Sequence, residues 1–510
     1  MRGLGFFSLG SSDRCALACA LGCIAALASL PASAEDASVD PPAPDVPEAF
    51  DKADPTPKPG WGVGEAKSWW VPAVDIVGFQ VLLNIFDRHV LSQSEYGVDF
   101  DSIERNFKGD WVYDNDAFSI NQIGHPYQGS IYHTAARSAG HGYWTSLAYT
   151  TVGSAVWEIA GETTPPSVND QYTTTFAGSF LGEALFRLSS LVLENARNSP
   201  GPWREVAAAA LSPSTGFNRL AYGSRFDGVF ASRDPAIYTR IYIGGNLNAD
   251  VDSDVNRNPD PEGERVPQDF QGGEASADLS VAYGIPGKSG YTYDRPFDYF
   301  DFRVTAVTSN ALESVSTHGL LYGAPYAAGD DVRGIWGLYG MYDYFAPQVF
   351  RVSSTGLGVG TTAQWWVGEE TALQGQILAG VGYGSAGSIR GEGNRDYHHG
   401  VTPAVQGSLR WIFGDFAALE IVGGDWYVTD QASSEADGTE NLARIETSLT
   451  FRVHKLHGIT LKYVYSRRDA EYRDLPDTEQ SVSAISIGYT LLGHSRFGAV
   501  EWRPGHRHGS

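Results

Sequence analysis

The sequence predicts an α+β chain in which a small all-helical domain precedes a transmembrane antiparallel β-barrel of about twelve strands. Two observations carry this. From residue 236 to 497 the chain is built of long alternating segments, and the only uncharged apolar run of membrane-segment character lies at the N-terminus. In 275–285 the odd positions read Ala275, Ala277, Leu279, Val281, Tyr283 and Ile285, while the even ones read Ser276, Asp278, Ser280, Ala282 and Gly284. In 445–453 Ile445, Thr447, Leu449, Phe451 and Val453 alternate with Glu446, Ser448, Thr450 and Arg452. Such segments exceed the strands of a soluble sandwich, and closure into a barrel removes the edges that so many adjacent strands would leave.

Taken in order, the chain opens with Arg2 and Arg14, an apolar run over 15–30 and Ala32-Ser33-Ala34 before Glu35. This is the pattern of a secretory signal peptide, 1–34. Cleavage there removes Cys15, Cys19 and Cys23, the only cysteines; lipidation at Cys23 is the rival reading. Residues 35–65 form a leader rich in proline and acidic side chains, expected to be disordered. The next unit, 66–225, carries the period of helices. Segment 72–90 places Val74, Val77, Val81 and Ile85 on one stripe, and further helical segments follow at 143–161, 173–195 and 201–211. Segment 173–195 is apolar, but Glu183 and Arg187 inside it, one turn apart, point to burial against protein rather than lipid. The barrel is assigned to 226–497 and a C-terminal tail to 498–510.

Aromatics fall within or at the ends of the strands, among them Tyr238, Tyr242, Phe300, Phe302, Trp336, Tyr339, Tyr342, Trp365, Trp366, Trp411, Trp426, Tyr463, Tyr465 and Tyr489, where interfacial girdles want them. The last strand alternates Ser483, Ile485, Ile487, Tyr489 and Leu491, resembling the closing strand presented to barrel-insertion machinery. A formal charge of −24 disfavours nucleic acid and anionic membrane surfaces as electrostatic partners; outer-membrane lipid and lipopolysaccharide are the surroundings the barrel reading implies.

The residues that suggest chemistry lie between 121 and 225. Glu158 and Glu162 are i,i+4 and share a helix face; Glu183, Arg187 and Ser190 share another. Two carboxylates with His125 or His133 alongside suit acid–base work. The competing reading is a buried polar network of Arg137, Glu158, Glu162, Asp170, Glu183 and Arg187, in which an arginine neutralises the carboxylates and locks helices together. No metal or other cofactor is expected, because the His-Glu-x-x-His pattern is missing and no serine sits in a Gly-x-Ser-x-Gly elbow. His398-His399 is expected at a solvated loop tip and His506 and His508 at a frayed end. Asn169-Asp170 is expected to cap the helix at 173, and Gly178 and Gly182 to let two helices approach.

The strings NQIGHPYQGSIYHTAARSAG, GSAVWEIAGETTPPSVND, GEALFRLSS and SPSTGFNRL resemble the bacterial family called domain of unknown function 3943 (DUF3943), over about residues 66–225. The resemblance implies an exported protein of a Gram-negative bacterium, with a conserved helical block, often a barrel after it, and no assigned activity. Three functions therefore stay open. The helices plug or gate the lumen of a structural or transport barrel; or His125, His133, Glu158, Glu162 and Ser190 serve an enzyme acting on lipid or lipopolysaccharide; or the block holds a periplasmic partner or serves envelope assembly.

Overall fold

The computed structural model describes residues 67–90, 94–114, 116–194, 201–223, 230–253, 274–309, 311–388, 397–429, 438–472 and 477–503. The expected signal peptide and leader, and His506 and His508, lie outside them. Twelve strands, from β1 (Ile237–Ser253) to β12 (Thr478–Leu492), each pair antiparallel with their sequence neighbours, and β1 pairs β12 to close the barrel. Closure leaves every strand with two partners, the condition for placing a sheet in lipid. Both chain ends of the barrel lie at one end, called the base, where the links 329–331, 367–370, 414–416 and 455–456 are tight. The opposite end is called the top.

Alternation assigns each side chain to the lumen or to the outer wall. The lumenal set identifies itself by contacts between strands that are not neighbours. Arg240 on β1 reaches Glu420 on β9 (Ala417–Val428) at 2.9 Å, and Arg303 on β3 (Phe300–Val307) reaches the same carboxylate at 3.0 Å. Lys462 on β11 (His457–Tyr472) meets Asp278 on β2 (Ala275–Tyr283) at 2.6 Å, and Gln406 on β8 (His398–Phe413) donates to Asp343 on β5 (Val332–Phe345) at 2.6 Å. The opposite parity carries exposed apolar residues: Val405, Leu409 and Trp411 on β8, Ile459, Leu461 and Tyr463 on β11, and Ile485, Ile487 and Tyr489 on β12. This is the apolar band of a membrane barrel.

The lumen is filled rather than open. Toward the top, Phe345, Phe350, Val352, Trp426, Val428 and Leu442 form an apolar layer across it. At the base, the segment after β12 turns back inside. Val500 O accepts from Gln364 Nε2 (2.7 Å) and Trp366 Nε1 (3.1 Å), Gly498 O from Gln374 Nε2 (2.7 Å), and Phe497 is fully buried. The first residues of the expected tail are therefore a stopper whose free carbonyls are met by lumenal side chains. Between these layers a cavity of about 100 Å³ is lined by Arg240, Asp278, Arg303, His318, Asp343 and Glu446, among others.

Before the barrel come seven helices among the described residues: α1 (Val71–His89), α2 (Phe100–Lys108), α3 (His125–Ser138), α4 (Tyr143–Ala160), α5 (Val168–Glu194), α6 (Pro202–Leu211) and α7 (Pro213–Tyr222). They correct the expectation of a lumen-filling domain, for they pack on the outer wall. Phe180, Leu181, Ala184, Leu188 and Val192 of α5 share one core with Leu279 and Val281 of β2, Phe300, Phe302 and Val304 of β3 and Tyr342 of β5, all of outward parity. Gly340, also outward on β5, is required there, since a Cβ would stand 2.4 Å from the Phe180 ring. The physical reason is space: with the lumen occupied by its own side chains, the free apolar surface is outside. The aromatics divide accordingly. Trp336, Trp365, Trp411, Tyr463 and Tyr489 are exposed on the wall, Tyr238, Tyr242, Tyr339, Trp366 and Trp426 fill the lumen, and Phe300, Phe302 and Tyr342 lie under the helices.

Within the block, α3 and α5 touch backbone to backbone. A Cβ on Gly178 would lie 2.6 Å from Gly129 Cα, and one on Gly129 would lie 1.9 Å from Thr174 O. Gly182 sits over Ser130 and His133, so the expected close approach is present. Gly129→Ala should force the helices apart and cost at least about 1–3 kcal/mol. Limited proteolysis is expected to cut the helical block of this variant while the barrel keeps its heat-modifiable mobility; unchanged resistance would contradict the packing.

Candidate functional site

The polar residues of the block gather into two clusters, one at each end of α3. The lower one is centred on Glu183 of α5, which is fully buried. Its carboxylate accepts from Arg137 Nε (2.7 Å), Arg187 Nε (2.9 Å) and the His133 ring (3.2 Å). Arg187 also donates to Asp298 Oδ1 (3.0 Å) and Pro296 O (2.6 Å), in the link between β2 and β3, and Arg233 and Arg295 close on Asp298 from outside. Phe230 lies against the guanidinium groups of Arg137, Arg187 and Arg295. Every charge here has a protein partner, so the cluster works as a clamp between the block and the barrel.

The upper cluster is assembled by three chain segments. Asp114 Oδ1 accepts from Asn121 Nδ2 (2.6 Å) and Asn169 Nδ2 (2.8 Å), while Asn169 Oδ1 accepts from the Asp114 amide (3.0 Å) and Ser167 Oγ (2.9 Å). Asn169 also donates to Asp170, whose other oxygen stands 3.7 Å from His125 Nε2. His125 Nδ1 pairs with Thr174 Oγ1 at 3.2 Å. Glu158 takes the Ser167 amide at 2.9 Å on one oxygen; its other oxygen is buried with no hydrogen-bond partner among the described residues. Asn169 Nδ2 thus bridges the Asp114 and Asp170 carboxylates, and the His125 imidazole stands beside them: two acids and a base in one buried place, the raw material of acid–base chemistry.

The barrel supplies the wall beside this cluster. Tyr397 OH accepts from Asn121 (3.0 Å) and donates to Asp116 O (2.7 Å), and the His399 ring, 2.7 Å from Ser385 Oγ, lies between Tyr383 and Tyr397. His398-His399 is thus not a solvated loop tip: β8 begins there, both rings are buried, and His398 faces the lumen against Glu440.

The candidates read from sequence separate. His125, Glu158 and Asp170 belong to the upper cluster, and His133, Arg137, Glu183 and Arg187 to the lower one. The single neutralised network is corrected, because only Glu183 takes the arginines. Helix α4 stops at Ala160, and Glu162 accepts from Trp157 Nε1 (2.7 Å) and Thr164 Oγ1 (3.1 Å), whereas Glu158 takes the Ser167 amide. Ser190 donates to Phe186 O within its own helix and faces neither cluster, so it is no catalytic candidate. The cap of α5 is Ser167, whose Oγ accepts from the Asp170 amide, and not Asn169-Asp170. Asp114, absent from the residues picked out by pattern, sits in an irregular stretch with no periodicity to mark it; Asp298 lies in a strand link. No group of three or more His, Asp or Glu among the described residues is placed to hold a metal ion.

Residues 110–214, which contain both clusters except the barrel's own contributions, match the family model described as Domain of unknown function (DUF3943). No curated protein matches the chain. Among solved structures, the NanC porin is 9% identical with a TM-score of 0.26, covering 49% of this chain and 98% of that one. A deltaS2 mutant of the TodX monoaromatic hydrocarbon channel is 9% identical at 0.20, covering 52% and 91%. The outer membrane protease OmpT from Escherichia coli is 8% identical at 0.18, covering 51% and 100%.

Removing the central carboxylate separates the clamp from the pair. Glu183→Ala leaves Arg137 buried without an anion and Arg187 with Asp298 alone, and should cost about 3–5 kcal/mol. Asp114→Asn keeps hydrogen bonding and is expected to cost far less. Denaturant unfolding of the helical block, followed by tryptophan fluorescence, distinguishes them; equal losses would contradict the assignment of Glu183 as the clamp.

Proposed function

We propose that the protein is an outer-membrane scaffold, a closed and non-conducting barrel whose working part is the helical block held on its outer wall. The observation that supports this most is the occupied lumen: Glu420 held by arginines of β1 and β3, an apolar layer toward the top and the stopper at the base. A transport barrel needs a continuous polar path, and a plug of helices needs room inside. The outer-membrane location is supported by the apolar band and by the signal-like N-terminus, and β12 with its outward Ile485, Ile487 and Tyr489 suits recognition by insertion machinery. Planar-bilayer recording on the full chain tests the reading. Absence of a stable open level, with no swelling of protein-loaded liposomes in sugar, is expected; a steady conductance would overturn it.

A second reading is an enzyme acting on lipid or lipopolysaccharide, favoured by the Asp114–Asp170 pair, the His125 ring and the unpartnered Glu158 oxygen. In that reading His125→Ala and Asp114→Asn each abolish lipid turnover while heat-modifiable folding persists. Turnover that survives both substitutions would count against it.

A further inference from the structure

We infer that the helical block is itself immersed in the bilayer, with the outward faces of α1 and α4 in contact with lipid acyl chains. This rests on the reading that the barrel lies in a membrane, and extends it to a part of the chain that no strand accounts for.

The carrying observation is that α1 is inverted relative to a helix at a water surface. Its polar side chains point into the protein. Gln80 donates to Gly153 O (2.7 Å) and Tyr132 OH (3.0 Å), Asn84 to Gly161 O (2.9 Å) and Tyr96 O (3.0 Å), and Asp75 accepts from Tyr222 OH (3.3 Å). Its apolar stripe points out: Val74, Val77, Val81, Leu82, Ile85 and Phe86 are 47–68% exposed. None of the exposed residues between Ala73 and Phe86 is polar or charged. In water each of these large, half-exposed side chains forgoes roughly half of the 1.5–3 kcal/mol that full burial supplies. In hydrocarbon the same arrangement is the stable one, since apolar groups meet lipid and polar groups find partners between helices.

Geometry agrees. Nineteen residues of helix rise about 28 Å, close to the thickness of a hydrocarbon core. Trp69 and Trp70 stand exposed at one end of α1, and Arg88 and His89 at the other, the side chains that favour membrane interfaces. Helix α4 shares the pattern in part, with Val152 and Val156 exposed beside Thr151, whose hydroxyl donates to Leu147 O, and with Thr150, Ser154 and Glu158 turned inward. The surface is continuous with the barrel's band: Trp144 at the start of α4 stacks on Tyr322 of β4 (Ser314–Ala328), with centroids 5.6 Å apart, and Tyr322 pairs in register with Leu338, two residues from the exposed Trp336. Lipid that coats the band therefore meets the helices at the same wall. A second copy of the chain is the other occupant such a face admits.

Nitroxide labels on Val81→Cys, Ile85→Cys and Val152→Cys in the full chain, reconstituted in phosphatidylcholine vesicles, discriminate by collision with oxygen and with a water-soluble nickel chelate. Ile377→Cys, in the exposed band of β7 (Thr371–Ser388), serves as the lipid reference, and Glu104→Cys, on the charged surface of α2, as the aqueous one. Each variant is used only if its barrel remains heat-modifiable. The three helical positions are expected to follow Ile377→Cys, with oxygen contact several-fold above nickel contact. Nickel contact like that of Glu104→Cys at the helical positions, with Ile377→Cys still in lipid, overturns the inference and leaves the barrel reading standing. Low contact with both reagents together with spin–spin broadening assigns the face to a second copy and also overturns it. Nickel contact at Ile377→Cys removes the membrane reading, and this inference with it.

Discussion

Glu420 sets the plan of the molecule. One carboxylate inside the barrel accepts from Arg240 of β1, Arg303 of β3 and Arg410 of β8, three strands spread around the wall. Burying such a group is costly unless its partners are held in place, and removing the carboxylate would strip three buried arginines of the anion they share. Lys462–Asp278, Gln406–Asp343 and Arg468–Glu440 extend the same constraint along the axis, between two apolar end layers. An interior filled in this way has no room for another element, which sends the helices to the outer wall.

The outer wall is fitted to receive them. Small residues mark the contacts, Gly340 under Phe180 and Gly129 against Gly178, while Glu183, Arg187 and Asp298 bind the block to the link between β2 and β3. Apolar packing gives area, and the buried ion pairs give register, since a shifted helix would strand charges away from water. The upper cluster has a different character. Its carboxylates are bridged by Asn169, one oxygen of Glu158 has no partner among the described residues, and tyrosines and a histidine of the barrel form its side. The lower cluster pairs every charge, leaving His133 Nδ1 without a hydrogen-bond partner among the described residues, whereas in the upper cluster it is a carboxylate oxygen that lacks one.

Much of the fold was legible in the sequence because period-two alternation survives any environment. Twelve strands, closure and the outward Ile485, Ile487 and Tyr489 all come from it. Alternation cannot say what an apolar face meets, however. Leu279, Val281, Phe300 and Phe302 read like lipid-facing residues and lie under helices, and Tyr238, Tyr339 and Trp426 read like a girdle and fill the lumen. The stripe Val74, Val77, Val81 and Ile85 was legible as a stripe, while its direction depended on where Gln80 and Asn84 found partners. The sites were legible as residue types only. Glu158 and Glu162 take different hydrogen-bond partners because α4 ends at Ala160, and Asp114, Asp298, Tyr397 and His399 join their clusters through tertiary contacts far apart in the chain. The stopper was hidden for the same reason, its backbone carbonyls carrying no sequence signal.

The placement of the helices on the outer wall is tested most directly by crosslinking across the seam between α5 and β5. Neighbouring strand residues face opposite sides, so Gly340 lies under Phe180 and Tyr339 points into the lumen. The pair Phe180→Cys with Gly340→Cys is predicted to form a disulfide under mild oxidation in the folded, heat-modifiable protein, and the pair Phe180→Cys with Tyr339→Cys to form none. A crosslink to position 339 without one to position 340 would put the helix inside the barrel and contradict the account.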